Sequence, residues 1–310
     1  MMPFMFFLLS CFSKVSLAQA TLAQNDGDDY QPTYQDSPSP KQSAGREYRF
    51  GVFPLHNPVR LFDVYQPMVA ALNAVSEGYK LKLEASKDYP SYERKIFSRE
   101  LDIAIINPYQ AIKAEAKGYR IFAKMGDDDR MRGIIVVRKD AGIKSVYDLR
   151  GATISFPAPT AMAASIMTKM FMMKQGLDVH KEANPIYVGS QDSAVMNVYQ
   201  GKSKAGCTWP PTWDALTKER PEVTSALEIK WRTESLPSLA LVARDDIPVE
   251  HVAAISKAVT SLHNSAEGRK ILEAMTIPKY EPADSSTYEP VRVFMKEYVL
   301  RWGDTLAGGK

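Results

Sequence analysis

The segment Leu101–Gly118, LDIAIINPYQAIKAEAKG, sets the pattern from which the fold is predicted. It begins with a short apolar run that ends at Pro108, and it continues with helical spacing that Gly118 closes. A buried strand followed directly by a helix is the repeating unit of α/β proteins. Open α/β sheets bind ligands beyond the carboxyl ends of their strands, so Asn107 and Tyr109 are candidate ligand contacts. The alternative is a turn that only stops the strand.

The same alternation of strands and helices extends in both directions from this segment. Upstream, strands are predicted at 48–53 and 79–86, with a helix between them. Downstream, the strands ATISFP at 152–157 and NPIYVGS at 184–190 are each followed by a helix. The order indicates an α/β fold with mostly parallel sheets flanked by helices. The chain is largely helical from Pro248 onward, and this end is expected to pack back on the first lobe.

Composition excludes several functional classes. The chain has 310 residues, of which 45% are hydrophobic, and this is enough to build more than one lobe. Its formal net charge is only +3 and it has no long basic run, so nucleic-acid binding is not expected. No metal-ligand spacing and no nucleophile elbow occurs, so we expect no metal, no cofactor and no enzymatic activity.

The N-terminus predicts export to the periplasm. Residues 1–20 have the apolar region and small-x-small ending of a signal peptide, although no basic residue precedes the apolar region. The sequence LLSC, ending at Cys11, also resembles a bacterial lipobox, in which the cysteine carries a lipid. Such a lipid would be the only membrane attachment expected. Residues 21–46 are polar and rich in Pro, Ser, Asp and Gln, which predicts a disordered tether.

Several segments together carry a family resemblance. The chain is similar over residues 47–302 to the PhnD-like substrate-binding proteins of phosphate, phosphite and phosphonate ABC transporters. The resemblance rests on the order and spacing of GVFPLHNPVRLFDVYQPMVAALN, SKDYPSYERKIFSRELDIAIINPYQAIKA, SVYDLRGATISFPAP, VGSQDSAVMNVYQGKSKAG and GRKILEAMTI. It implies a type II periplasmic-binding-protein fold, in which two α/β lobes close on a ligand. We place lobe 1 at 47–132 plus 240–310 and lobe 2 at 133–239.

The resemblance also implies where the ligand lies. The turn PAPTAM corresponds to the helix N-terminus that grips a phosphorus oxyanion, because the first backbone N–H groups of a helix are unpaired. Here Thr160 supplies the hydroxyl, while Ala161 and Met162 supply only backbone N–H groups. The alternative is that Thr160 only caps a buried helix. Tyr89 matches a ligand-contacting tyrosine of the family, and its alternative is an aromatic residue packed at a helix start.

Other positions depart from the family pattern. Relatives often carry a histidine and an acidic residue where this chain has Gln191 and Asp192. Asp192 could bind an ammonium group or a protonated oxyanion, or it could instead cap the next helix. Trp209 falls at the expected cleft wall, where it could stack on a ligand or belong to the core. Arg132 is a candidate partner for an anion, and its alternative is a solvated surface arginine.

These inferences lead to one functional hypothesis and one alternative to it. The first is an exported, monomeric solute-binding protein that captures a small anion, such as phosphate, phosphite or phosphonate, for the permease of an ABC importer. The alternative is a ligand-sensing module of the same fold that signals to a membrane histidine kinase or another partner. The methionine-rich helix at 162–173 is interpreted as core rather than as a soft-metal site.

Overall fold

Two β-sheets organise the chain, which a computed structural model describes over residues 45–55, 58–303 and 306. The predicted signal peptide, Cys11 and the tether up to residue 44 lie outside these residues. Within them, no helix is both long and apolar enough to cross a membrane.

Strands and helices alternate through most of the chain. The strands are β1 (Arg46–Val52), β2 (Tyr79–Glu84), β3 (Ile103–Ile106), β4 (Tyr119–Met125), β5 (Ile134–Arg138), β6 (Thr153–Phe156), β7 (Asn184–Tyr187), β8 (Ala205–Thr208), β9 (Leu227–Arg232), β10 (Ala240–Arg244) and β11 (Tyr280–Pro282). The α-helices are α1 (Pro58–Ala74), α2 (Tyr89–Phe97), α3 (Pro108–Glu115), α4 (Thr168–Lys174), α5 (Val179–Glu182), α6 (Gln191–Tyr199), α7 (Pro210–Glu219), α8 (Pro221–Ala226), α9 (Val249–Thr260), α10 (Ala266–Ala274) and α11 (Glu289–Trp302). A π-helical segment, Met162–Met167, runs directly into α4.

Lobe 1 is the six-stranded sheet with its helices. Its strand order is β11-β4-β10-β3-β1-β2, with β1 parallel to both β2 and β3 and with β10 antiparallel to β3 and β4. The central strand β3, with the sequence IAII, is buried along its whole length. A strand covered on both faces needs a continuous apolar run, and this run is the one that predicted the strand.

Lobe 2 is the five-stranded sheet with its helices. Its strand order is β7-β6-β8-β5-β9, with β6, β7 and β8 parallel and β5 antiparallel to β8 and β9. The apolar strand β5, IIVVR, is buried at its first four positions. The prediction of an α/β fold is therefore confirmed, but the prediction that its sheets are mostly parallel is wrong. Of the nine strand pairs in the described residues, four are parallel and five are antiparallel, because β5 and β10 run against the strands on either side of them and β11 runs against β4. The residue boundaries of the two lobes stay a prediction.

The chain passes between the two sheets twice, at 126–133 and at 233–239. The two passages are tied to each other. The Asp128 carboxylate accepts from the Ser238 N–H at 2.9 Å and from Lys124 Nζ at 2.8 Å. Gly133 and Thr233 also exchange two hydrogen bonds, each 2.9 Å long. Because residues of both passages bond each other, the connection between the lobes is a paired hinge rather than two independent linkers.

Candidate ligand-binding site

The predicted ligand contacts lie at the ends of strands in both sheets. In lobe 1, Tyr89 opens α2 after β2, and Asn107 and Tyr109 stand at the start of α3 after β3. In lobe 2, residues 160–162 follow β6, residues 191–192 follow β7, and Trp209 follows β8. These are the carboxyl ends of parallel strands, where open α/β sheets bind ligands.

Asn107 connects the two lobes. Its side chain accepts from the Gln110 N–H at 2.9 Å, and the Gln110 side chain accepts from the Asn107 N–H at 3.0 Å, which forms a reciprocal capping box. Asn107 Nδ2 also donates to the Thr160 carbonyl oxygen of lobe 2 at 3.1 Å. The residue therefore does more than stop a strand, because it orients α3 and contacts the opposite lobe at the same time.

Tyr89 makes a second contact between the lobes. Gln191 Nε2 donates to the Tyr89 hydroxyl at 3.4 Å, and the Thr208 hydroxyl donates to Gln191 Oε1 at 2.9 Å. The Tyr89 ring is buried and lies edge-on to Phe53, with ring centroids 5.3 Å apart. Burial raises the pKa of Tyr89 well above its ordinary value. The phenol therefore stays neutral and keeps its own proton available for a hydrogen bond.

Glu93 belongs to this group of residues and was missed by the sequence analysis. Its Oε1 accepts from Gln110 Nε2 at 3.0 Å. Burial raises the pKa of the Glu93 carboxyl, while hydrogen bonding from Thr160 and Gln110 opposes that shift. Glu93 lies one turn after Tyr89, so both side chains share one face of α2. That spacing was the available signal, although nothing local distinguishes Glu93 from an exposed helical glutamate.

The helix start in lobe 2 differs from the predicted one. The helix begins at Met162, its N-cap is Ala161, and no side chain caps it. The alternative in which Thr160 caps the helix is therefore wrong, because Thr160 precedes the cap and faces Asn107 and Glu93 instead. The N–H groups of both Ser165 and Ile166 donate to the Ala161 carbonyl, at 2.8 and 3.1 Å, which widens the first turn.

As at any helix start, the first backbone N–H groups after the N-cap have no partner within the helix. Among the residues that the structure describes, none accepts a hydrogen bond from the N–H of Met162, Ala163 or Ala164. All three residues are at most 5% exposed. Unpaired, buried N–H groups at the start of a helix form an anion-binding arrangement, reinforced by the helix dipole.

Asp192 stands at the edge of this region, beside a salt bridge between the lobes. Ser190 is the N-cap of α6 and accepts from the Ser193 N–H at 3.1 Å, so the alternative in which Asp192 caps the helix is wrong. Burial raises the pKa of Asp192, and nearby Arg60 opposes the shift. Arg60, on α1 of lobe 1, pairs with both carboxylate oxygens of Glu219 on α7 of lobe 2, at 2.8 and 2.5 Å. The sequence analysis did not identify Arg60.

Three further predicted residues make other contacts. Arg132 Nε donates to the Asp129 carbonyl at 2.5 Å, so its guanidinium is held by its own turn. Trp209 is 8% exposed, and its Nε1 donates to the Thr212 hydroxyl at 2.8 Å. Tyr109 is buried, with Lys113 Nζ 5.8 Å from its ring centroid. The structure thus does not bring Arg132 together with the other candidates.

The apolar part of the site also joins the lobes. Ala161, Met162 and Trp209 of lobe 2 belong to the same contiguous apolar cluster as the lobe 1 core. Cavities of about 640 and 270 Å³ lie elsewhere, and none of the ten predicted residues lines either of them. In the described part of the chain, no group of three or more His, Cys, Asp or Glu side chains could hold a metal ion. The two lobes therefore meet directly through the candidate residues.

Comparison with known proteins identifies relatives of the same kind. The chain is 20% identical over 209 residues, 63% of this chain and 70% of the relative, to a probable ABC transporter phosphite binding protein, PhnD1, of Prochlorococcus marinus (strain MIT 9301). A binding protein component of an ABC phosphonate transporter from Pseudomonas aeruginosa has a similar structure, with a TM-score of 0.75 and 18% identity over 82% of this chain and 87% of that one. The structure of PhnD1 from Prochlorococcus marinus in complex with methylphosphonate is also similar. Its TM-score is 0.74 and its sequence identity is 18%, over 81% of this chain and 98% of that one.

The family assignment rests on a match along most of the chain. Residues 50–288 match the family described as ABC transporter, phosphonate, periplasmic substrate-binding protein. The resemblance predicted from the segments above is thereby confirmed, as is the two-lobed fold that it implies. The prediction that the protein is not an enzyme is also confirmed, because these relatives are substrate-binding proteins. The chain belongs to the family of periplasmic substrate-binding proteins of phosphonate ABC transporters.

Proposed function

We propose that this protein is exported and captures a small phosphorus oxyanion between its lobes for delivery to the permease of an ABC importer. The observation that carries the proposal is the buried, unpaired N–H trio of Met162, Ala163 and Ala164, next to residues of the opposite lobe. A tetrahedral oxyanion has several acceptor oxygens, and backbone N–H groups at a helix start suit them. PhnD1 of Prochlorococcus marinus is a probable phosphite binding protein whose structure contains methylphosphonate, and both of these anions have this shape.

Recognition in this site depends on hydrogen bonds rather than on a paired cation. The donors available are the three N–H groups and the neutral Tyr89 phenol. Arg60, which lies near Asp192, is already bonded to Glu219. Binding that is shared between both lobes couples ligand capture to closure about the paired hinge, and a closed form is what a permease can recognise. The sensing alternative receives no support from the comparisons.

Calorimetric titration of the mature protein with methylphosphonate, phosphite and inorganic phosphate tests the proposal. We expect binding of at least one of these anions, and we expect Tyr89→Phe to weaken it by about tenfold, the effect of losing one hydrogen bond to a charged group. Tyr147→Phe is the matched control, because Tyr147 is 51% exposed and lies outside the site. Absence of binding by all three anions would refute the proposed ligand class.

The transport role requires a separate experiment. In a host that uses methylphosphonate as its only phosphorus source, deletion of the gene should slow uptake of the labelled compound. Restoring the wild-type gene should recover uptake, and restoring the Tyr89→Phe variant should recover it only partly. Normal uptake in the deletion strain, together with altered expression of phosphorus-responsive genes, would favour sensing over transport.

A further inference from the structure

Glu93 places a carboxylate beside the candidate oxyanion site. We propose that Glu93 determines specificity there: it selects oxyanions that carry a hydrogen-bond donor, such as a protonated phosphate or phosphonate, and rejects fully deprotonated dianions such as sulfate. This inference rests on the proposed function and deepens it by naming the charge state of the ligand that the site accepts.

A short hydrogen-bond network fixes the position of Glu93. Gln110 Nε2 donates to Glu93 Oε1 at 3.0 Å, while the Gln110 backbone and side chain are locked to Asn107 by the capping box. Asn107 Nδ2 in turn donates to the Thr160 carbonyl at 3.1 Å. Thr160 lies close enough to the Glu93 carboxyl to oppose the rise in its pKa, and it stands two residues before Met162, where the unpaired N–H groups begin. The carboxylate is therefore held against the loop that would grip the anion.

No positive charge compensates Glu93. Over the part of the chain that the structure describes, no lysine, arginine or histidine forms an ion pair with it. Gln110, which donates to it, and Thr160, which also opposes the rise in its pKa, are both neutral. The other carboxylate at the site, Asp192, differs because Arg60 lies near it. A second negative charge close to Glu93 in this half-buried region is unfavourable unless a proton lies between the two groups. A ligand O–H or N–H group supplies that proton, whereas sulfate cannot at neutral pH.

The same geometry explains why the sequence alone could not reveal this role. Glu93 lies on lobe 1 and Thr160 on lobe 2, and they meet only because α2 and the loop after β6 face each other across the site. A glutamate on the second turn of a helix is ordinarily solvated.

Titration calorimetry at fixed neutral pH and ionic strength tests the inference, with methylphosphonate, inorganic phosphate and sulfate as probes. Wild-type protein should bind methylphosphonate or phosphate at least about tenfold more tightly than sulfate. Glu93→Gln replaces the carboxylate by a neutral amide that can donate a hydrogen bond. It should reduce the ratio of the sulfate Kd to the Kd of the phosphorus oxyanion by about tenfold to hundredfold, mainly through tighter binding of sulfate. Glu93→Met serves as a second neutral variant if Glu93→Gln folds poorly, and it should also lower the ratio of the sulfate Kd to the Kd of the phosphorus oxyanion.

Glu100→Gln is the matched control, because Glu100 follows α2 but is exposed and contacts Ser98. It should leave the ratio unchanged. If wild-type protein binds phosphorus oxyanions and neither Glu93 variant alters the ratio to sulfate, the specificity role is refuted while the proposed function stands. If wild-type protein binds none of the three anions, the proposed function fails and the specificity role fails with it.

Discussion

Replacing Lys169 tests how much the burial of a charged side chain destabilises lobe 2. The side chain is 1% exposed and lies on α4, the helix that continues from the candidate site. Its Nζ donates to the Tyr187 hydroxyl at 2.6 Å and lies 5.1 Å from the Phe156 ring centroid and 5.0 Å from that of Tyr187. In the described structure no carboxylate forms an ion pair with Lys169. Burial therefore lowers its pKa to about 8 from an ordinary 10.5.

The lowered pKa of Lys169 makes the free energy of unfolding depend on pH. Between pH 8 and 10.5 the unfolded chain holds a proton on Lys169 that the folded protein has lost, so stability rises with pH in that window. Below pH 8 the full cost of burying the charge is present, about 3 kcal/mol for a pKa lowered from 10.5 to about 8. Contacts with the two rings recover about 0.5–2 kcal/mol. Lys169→Met, which removes the charge and keeps an unbranched side chain one atom shorter, should therefore stabilise the protein by about 1–2.5 kcal/mol at pH 7.

Urea unfolding of wild type and Lys169→Met at pH 7 and at pH 10 measures both effects. The stability advantage of the variant should be largest at pH 7 and should shrink towards pH 10, where the wild-type lysine is already neutral in the folded state. Lys174→Met is the control on the same helix. Its side chain is 54% exposed and pairs with Glu297, so its replacement should change stability by less than about 1 kcal/mol. A Lys169→Met protein that is no more stable than wild type at pH 7 would refute the reasoning.

Three further predictions concern the hinge and the site. Asp128→Asn removes one of the two carboxylates that buried Lys124 contacts, at 2.8 Å, while Glu281 remains at 2.7 Å, and should lower the free energy of unfolding by about 1–3 kcal/mol; an unchanged urea midpoint would contradict this. For Arg60 and Glu219, both more than one-third exposed, a double-mutant cycle should give a coupling below about 1 kcal/mol that weakens with salt, and a coupling that is insensitive to salt would argue against a solvated pair. Asp192→Asn should tighten binding of methylphosphonate severalfold, as measured by calorimetry, and equal affinity for every anion would place Asp192 outside the site.

The fold was predictable because its signals are local. The apolar run of β3 and the helical spacing after Asn107 each depend on neighbouring residues, and both elements form where the pattern indicates. The carboxyl ends of the strands then followed from general rules of α/β architecture, and so did the location of Asn107. Tyr89 was instead predicted from the family resemblance.

Helix caps and contacts between the lobes were less predictable, for physical reasons. Ser190 and Asp192 are both good N-cap residues, and only the backbone conformation decides that Ser190 takes the role. Thr160 is likewise a good cap, but the π-helical first turn moves the helix start to Met162. Arg60 bonds a residue 159 positions away, so no pattern within the neighbouring sequence carries that information.

Direct contacts between the lobes determine what a ligand has to provide. Asn107 bonds the Thr160 carbonyl, Tyr89 bonds Gln191, and Glu93 bonds Gln110, so polar groups at the site already have partners within the protein. A ligand gains affinity only from the difference between its own hydrogen bonds and those that it replaces. The N–H groups at the helix start lack such partners, and bonding them therefore displaces no protein contact. This difference argues that the helix start supplies most of the binding energy, while the contacts between the lobes decide which ligands can use it.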